Sequence, residues 1–375
     1  MIKKPKELSI YIHWPFCKTK CPYCDFNSHE NTIINHDIWE EAFLKEIEFK
    51  KELISDRTII SVFFGGGTPS LMKPKTINLI LKQLNSLAEF CKNIEITLEA
   101  NPNSIDRENF YNFKSSGINR VSIGIQSFYS KNLKFLGRSH SSYDALKALE
   151  IARTIFNNYS FDLMYCLPNQ KVIEWEEELN KAIKYIDHHV SCYQLTIEKG
   201  TQFFQDFRSN MFRMPKESIA VQMYTLTSDI LESHGINQYE ISNYSKFGYE
   251  SKHNINYWKL NDYIGIGPGA HGRYCYDNGI YSTINYYDPQ KWYKYLVNNK
   301  LPHQSKRKLT ENEQLLDKLT MGLRLNKGID QSYITNSHVI KDLVNDGFLK
   351  VGIDNLISCT IKGRLVLNYL IERLI

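Results

Sequence analysis

The sequence predicts an α/β fold: an open, partial (β/α)6 barrel followed by a small C-terminal helical, winged-helix-like domain. Short apolar segments rich in β-branched and aromatic residues take turns with helical patterns through the first two hundred residues. Parallel neighbours require crossover connections, and helices are the usual ones. Six such units are fewer than the eight of a closed barrel. A flatter Rossmann-like sheet is the alternative. The 375 residues allow two or three domains at about 150 residues each. The expected division is 1–240 for the barrel, 241–305 for an extension near the ligand, and 306–375 for the C-terminal domain.

Strands are expected at 8–13, 58–64, 94–99, 120–125, 159–164 and 190–195. Helices are expected at 38–53, 75–90, 106–116, 143–155 and 174–186. Pro74 and Gly117 supply a helix start and a helix stop. Past residue 200 the rhythm weakens into one long helix at 215–234, a tyrosine-rich stretch at 239–249 and a Gly-rich loop at 265–272. From about 309 the pattern is helix, helix, a short β segment at 349–358 and a terminal helix.

Lys plus Arg number 46 and Asp plus Glu 41, a net charge of +5 spread along the chain. A dedicated nucleic-acid binder would gather its basic residues into a footprint, so none is expected here. No apolar run approaches the ~20 residues of a membrane span. Residues 1–7 are polar and lead into a strand, so the expectation is a cytoplasmic protein without a signal peptide. Five of the eight cysteines lie far apart and read as small buried hydrophobes.

Cys17, Cys21 and Cys24 stand apart from these, in a C-x3-C-x2-C run after the first strand. Three thiolates on one loop suit three irons of a [4Fe–4S] cluster, leaving the fourth iron without a protein ligand. Zinc is the rival, and His13 or His29 would then close the site. Further polar residues fall at the ends of the expected strands. Gly66, Gly67 and Thr68 follow the second, Glu99 closes the third, Gln126 closes the fourth with Arg138 after it, and Asp162 lies in the fifth. Parallel strands bring those ends to one rim, where barrel active sites are built. A buried acid such as Asp162 is costly unless paired or ligating.

The segment from Tyr11 through Cys17, Cys21 and Cys24 resembles the radical S-adenosylmethionine (radical SAM) superfamily. The resemblance implies a [4Fe–4S] cluster on the three cysteines, with S-adenosylmethionine held at the open iron. It covers nearly the whole chain and narrows to the oxygen-independent coproporphyrinogen III dehydrogenase group, on the segments around Gln126, Arg138 and Asp162. By position, Tyr11, Gly66 and Glu99 match contacts of a first S-adenosylmethionine. Gly67, Thr68, Gln126, Arg138 and Asp162 match contacts of a second. The family's glycine before Leu167-Pro168 is Cys166 here.

Within that group two features resemble the HemW-type haem chaperones. Phe26 stands where the dehydrogenase carries another cysteine, and His253-Asn-Ile-Asn-Tyr257-Trp258 is similar to a segment proposed to bind haem. The resemblance thus implies haem as ligand, with His253 or His271 on the iron. It further implies an acceptor protein for the haem, an electron donor for the cluster and peripheral association with a membrane-bound recipient. The alternative it leaves is radical decarboxylation of coproporphyrinogen III propionates.

Overall fold

The computed structural model of the chain describes residues 6–334, 336–352 and 354–375. Most of the polar N-terminal stretch, residues 1–5, lies outside the described residues, as does residue 353 in the short C-terminal β segment.

The first half alternates as expected. Strand β1 (Glu7–Trp14) is followed by helix α1 (His36–Phe49), β2 (Thr58–Gly66), α2 (Pro74–Leu87), β3 (Glu89–Ala100) and α3 (Arg107–Ser115). Then come β4 (Arg120–Gln126), α4 (Ser142–Ile155), β5 (Tyr159–Tyr165), α5 (Val172–Ile183), β6 (His189–Gln194) and the long α6 (Glu217–Ser233). Local chemistry sets these boundaries: Pro74 opens α2, Asp106 caps α3, and Ser141 with Asp144 forms a capping box on α4. The expected helix over 38–53 breaks at Lys50. Its side chain turns into the core, to Glu46 at 2.6 Å and the Gly265 carbonyl at 2.7 Å.

Six parallel strands run in the order β1 to β6. The sheet does not stop there. After β7 (Asn237–Gln238), β8 (Asn243–Ser245) and α7 (Lys252–Trp258), strand β9 (Tyr263–Ile266) joins the other side of β1 as a seventh parallel strand. Strands β10 (His271–Tyr276) and β11 (Gly279–Asn285) extend that edge antiparallel; helix α8 (Pro289–Val297) and the edge strand β12 (His303–Lys308) follow. The order across all twelve is β12-β11-β10-β9-β1-β2-β3-β4-β5-β6-β8-β7. The stretch expected as a Gly-rich loop is therefore the β9–β10 connection with parts of both strands. A Cβ on Gly265 would lie 2.0 Å from the His271 carbonyl oxygen, so glycine there permits a close backbone crossing rather than a free loop.

Strand residues two apart share a face. One face carries Ile10, Ile12, Val62, Phe64, Leu98, Ile123 and Leu163, all fully buried in the core shared with the helices. The opposite face is polar: Ser9 bonds Ser61 at 2.7 Å, and Arg120 bonds Ser160 at 2.8 Å, which bonds Ser122 at 3.0 Å. The barrel interior is thus a hydrogen-bonded floor for whatever sits above it at the strand ends.

The C-terminal part has its own core, including Leu319, Leu343, Ile357 and Leu370. Helices α9 (Glu311–Gly322), α10 (Ser337–Asn345) and α11 (Leu367–Leu374) pack on a small sheet of β13 (Ile329–Asp330), β15 (Leu356–Cys359) and β14 (Leu349–Val351). Among the described residues no helix is long and apolar enough to cross a membrane.

Candidate cofactor and ligand site

The cysteine loop leaves β1 and is pinned at its base. Phe16 and Cys17 pair in parallel with His29 and Glu30, and the Cys24 amide turns back to the Cys21 carbonyl at 3.0 Å. The glycine loop after β2 packs onto it: the Gly67 amide donates to Trp14 O at 2.6 Å and the Thr68 amide to Phe16 O at 2.9 Å. A Cβ on Gly67 would lie 2.7 Å from Phe16 O, and Gly66 has φ +110. These glycines therefore serve the packing of one loop on the other as well as any approach of a ligand.

All three thiols open into one cavity, together with Gly66, Gly67, Thr68, Glu99, Gln126, Arg138 and Asp162. Ten of the residues singled out in the sequence thus share one cavity, and Tyr11, His253 and His271 line the adjoining one. Each thiol has a partner: Thr68 Oγ1 donates to Cys17 Sγ at 3.3 Å, Arg138 Nη1 donates to Cys21 Sγ at 3.3 Å, and Ser28 Oγ lies 3.8 Å from Cys24 Sγ. Burial pushes the Cys17 and Cys24 thiols up. Donors aimed at sulfur suit thiolates that ligate a metal centre. Zinc at this loop loses one of its candidate fourth ligands, because both ring nitrogens of His13 are engaged, by Tyr11 at 3.1 Å and Asn27 O at 2.8 Å. Among the described residues no group of three His, Cys, Asp or Glu is arranged to hold a single metal ion.

Glu99 is the pivot of the rim. It accepts from the Gly66 amide at 3.2 Å and lines three adjoining cavities, as Phe26 also does. Burial, and then the nearby Asp162 charge, pushes its carboxyl up to about 8. Asp162 is itself pushed up to about 6 by burial, against hydrogen bonds from Ser191 and Ser122 and the charge of Arg120. Two acids held partly protonated at a cavity wall are poised to ionise beside a cation. Gln126 ends β4 with φ +69, a left-handed conformation costing about 1–2 kcal/mol outside glycine. The turn after it is fixed by buried Glu178, which accepts from Ser127 Oγ at 2.5 Å and the Phe128 amide at 2.7 Å.

Beside the cysteine cavity lies an aromatic chamber of about 530 Å3, walled by Tyr11, Phe63, Tyr257, Tyr263 and Tyr287 with His253 and His271. Helical spacing places His253 and Tyr257, four residues apart, on the chamber side of α7. Trp258 points elsewhere, with Arg324 5.6 Å from its ring. His253 stacks on Phe63 at 4.8 Å and places Nδ1 3.3 Å from Ser61 Oγ. No hydrogen-bond partner of its Nε2 is found among the described residues. Burial lowers this imidazole to about 3, so it is neutral near pH 7. His271 is more exposed, and its Nε2 lies 3.2 Å from Tyr287 Oη.

Glu95 escaped the sequence reading. Its carboxylate accepts from the amides of Lys252 and His253, each at 3.1 Å, and from Ser251 Oγ at 3.3 Å, so it fixes the start of α7. The signal was present as alternation, since Glu95, Thr97 and Glu99 fall on one face of β3, as Arg120, Ser122, Gly124 and Gln126 do on β4.

A model of the radical SAM superfamily matches residues 11–182. The protein named heme chaperone HemW from Buchnera aphidicola subsp. Acyrthosiphon pisum is 38% identical over 373 residues, covering 97% of both chains. The zebrafish (Danio rerio) protein named radical S-adenosyl methionine domain-containing protein 1, mitochondrial, is 38% identical over 334 residues, 87% of this chain and 75% of that one. Among solved structures, coproporphyrinogen III oxidase (HemN) from Escherichia coli superposes with a TM-score of 0.81 at 20% identity, covering 99% of this chain and 90% of that one. That superposition shows the fold.

Proposed function

The chain belongs to the HemW family of the radical SAM superfamily, and on that premise we propose that it is a haem chaperone. It holds a [4Fe–4S] cluster on Cys17, Cys21 and Cys24, S-adenosylmethionine beside the cluster, and haem in the aromatic chamber, and it passes haem to an acceptor protein. The observation that supports this reading most is the adjacency of the two cavities. They share Gly66, Glu99 and Phe26, and the second presents a neutral imidazole with a free nitrogen.

When bound, the cluster would supply an iron free of protein ligands, at which S-adenosylmethionine would be held. The chain's own residues do the positioning. Thr68 and Arg138 orient the thiols of Cys17 and Cys21. Glu99 accepts a ribose hydroxyl or a charged amine, and a cation beside it draws its carboxyl back toward the ionised form. Tyr11, with its hydroxyl on His13, walls the first S-adenosylmethionine from the chamber. Gly67, Thr68, Gln126, Arg138 and Asp162 line the same cavity as the cysteines, and by the family resemblance they would contact a second molecule where one binds. His253 ligates the haem iron through Nε2, and the tyrosine rings stack on the porphyrin. His271 sits nearer solvent, engaged with Tyr287.

In this reading residues 1–240 hold cluster and cofactor, 241–305 shape the haem chamber, and 306–375 serve as a separate contact module. An electron donor, an acceptor protein and peripheral docking on a membrane-bound recipient complete the partners. The test is anaerobic titration of the cluster-loaded protein with haem, beside an assay with coproporphyrinogen III. Stoichiometric haem binding without decarboxylation is expected. Conversion of coproporphyrinogen III, with 5′-deoxyadenosine released in step, would overturn the chaperone reading in favour of the decarboxylase.

A further inference from the structure

We propose that Arg138 sets the reduction potential of the cluster through its contact with Cys21. The proposal rests on the reading of Cys17, Cys21 and Cys24 as cluster ligands and adds a role for a residue outside them. Side-chain donors stand beside all three sulfurs: the hydroxyls of Thr68 and Ser28 for Cys17, that of Ser28 for Cys24, and for Cys21 the hydroxyl of Tyr23 and the guanidinium of Arg138. Only the last carries a charge.

The fold holds that charge in place. Arg138 Nη2 donates to the Gly124 carbonyl at 2.7 Å, and Nη1 also lies 3.5 Å from Tyr23 Oη, while the Arg138 amide bonds Leu133 O at 2.9 Å. The preceding residue, Gly137, has φ +65, and a Cβ there would sit 2.5 Å from Pro22 Cδ, so the Arg138 turn is pressed onto the cysteine loop itself. Nε is buried and without a hydrogen-bond partner. Among the described residues no carboxylate forms an ion pair with Arg138; Asp162 feels its charge from across the shared cavity, while the guanidinium itself contacts the Cys21 sulfur.

Reduction moves one electron from an external donor onto the cluster, which gains one negative charge while the donor loses an electron. A fixed positive charge at hydrogen-bond distance from a ligand sulfur favours the reduced form over the oxidised one. Charge and hydrogen bonds at the sulfurs are among the protein's levers on cluster potential. A charged donor is roughly twice as strong as a neutral one. The effect of Arg138 should therefore exceed that of Thr68.

The experiment is a potentiometric titration of the anaerobically reconstituted protein with dithionite, read by the electron paramagnetic resonance of the reduced cluster. Arg138→Gln is expected to shift the reduction equilibrium about tenfold toward the oxidised form, about 59 mV more negative for one electron. Thr68→Val is expected to shift it about two- to threefold in the same direction. An Arg138→Gln protein that keeps its iron and sulfide yet titrates within twofold of wild type would overturn the proposal. Should that variant lose its cluster, Arg138→Lys decides. A two- to threefold shift toward the oxidised form supports the proposal, and no shift or the opposite sign overturns it. A wild-type protein that takes up no cluster would defeat the ligand reading instead, so the two failures are distinguishable.

Discussion

Glu99 combines a central position with an unfavourable environment, and this makes the stability of the cluster-free protein depend on pH in a definite direction. Its carboxyl ionises near 8 in the fold against 4.5 for the unperturbed group, chiefly because it is buried. The folded form therefore holds its proton more tightly than the unfolded chain. No penalty exists below pH 4.5. It grows as pH rises and is complete above 8. Taken at face value the difference corresponds to about 5 kcal/mol. Because one side of the carboxyl opens into cavities, solvent recovers about half of that, leaving roughly 2–3 kcal/mol. Glu99→Gln keeps the acceptor for the Gly66 amide and removes the ionisation. The cluster-free variant should be more stable than wild type by about 2 kcal/mol at pH 8.5 and by less than about 1 kcal/mol at pH 5. Urea unfolding midpoints at the two pH values measure this. A variant no more stable than wild type at pH 8.5, or one with the same gain at both, would refute the reasoning. The same substitution should weaken S-adenosylmethionine binding, an instance of stability given up at a functional position.

Other expectations follow from particular contacts. Glu46 is fully buried and accepts from Lys50 at 2.6 Å, Asn285 at 2.7 Å, the Gly267 amide at 2.8 Å and Trp292 at 2.9 Å. Glu46→Ala leaves the Lys50 ammonium buried without its counter-charge and should cost about 3–5 kcal/mol in denaturant unfolding, whereas Glu46→Met with Lys50→Met removes the stranded charge but recovers only part of it, because the Gly267 amide, Asn285 and Trp292 keep no acceptor. At Cys166, φ is +60, so the usual advantage of alanine over glycine should reverse: Cys166→Gly is expected to be the more stable by about 1 kcal/mol, read from unfolding midpoints. His253→Ala should weaken haem binding at least tenfold and shift its absorbance maximum, while His271→Ala stays within about threefold; the reverse order reassigns the ligand.

The sequence showed the alternation of strands and helices because each element repeats its own apolar period, and it showed the rim because polar residues recur just where those periods end. It did not show how far the sheet extends. Residues 265–272 read as a Gly-rich loop, since the glycines that let β9 and β10 cross closely are indistinguishable in sequence from glycines of a flexible turn. The break of α1 at Lys50 was equally hidden, because a lysine in a helical pattern gives no sign that its ammonium is buried against Glu46. Of the site, the cysteines, the glycine loop and Glu99 were legible by spacing and placement. Glu95 and Arg120 were not, because their role is to hold α7 and the barrel floor from below. The contact between Arg138 and Cys21 joins residues 117 positions apart, which only the fold brings together.

The claim beneath this account is that three thiols hold a cluster of four irons and leave one of them free for a small ligand. Mössbauer spectra of protein reconstituted with iron-57 test it directly, taken before and after S-adenosylmethionine is added. Four irons per chain are expected, with a change confined to about a quarter of the signal when the cofactor binds. Spectra that do not respond to S-adenosylmethionine, or a Cys17→Ser, Cys21→Ser, Cys24→Ser protein that still carries its full iron, would contradict it.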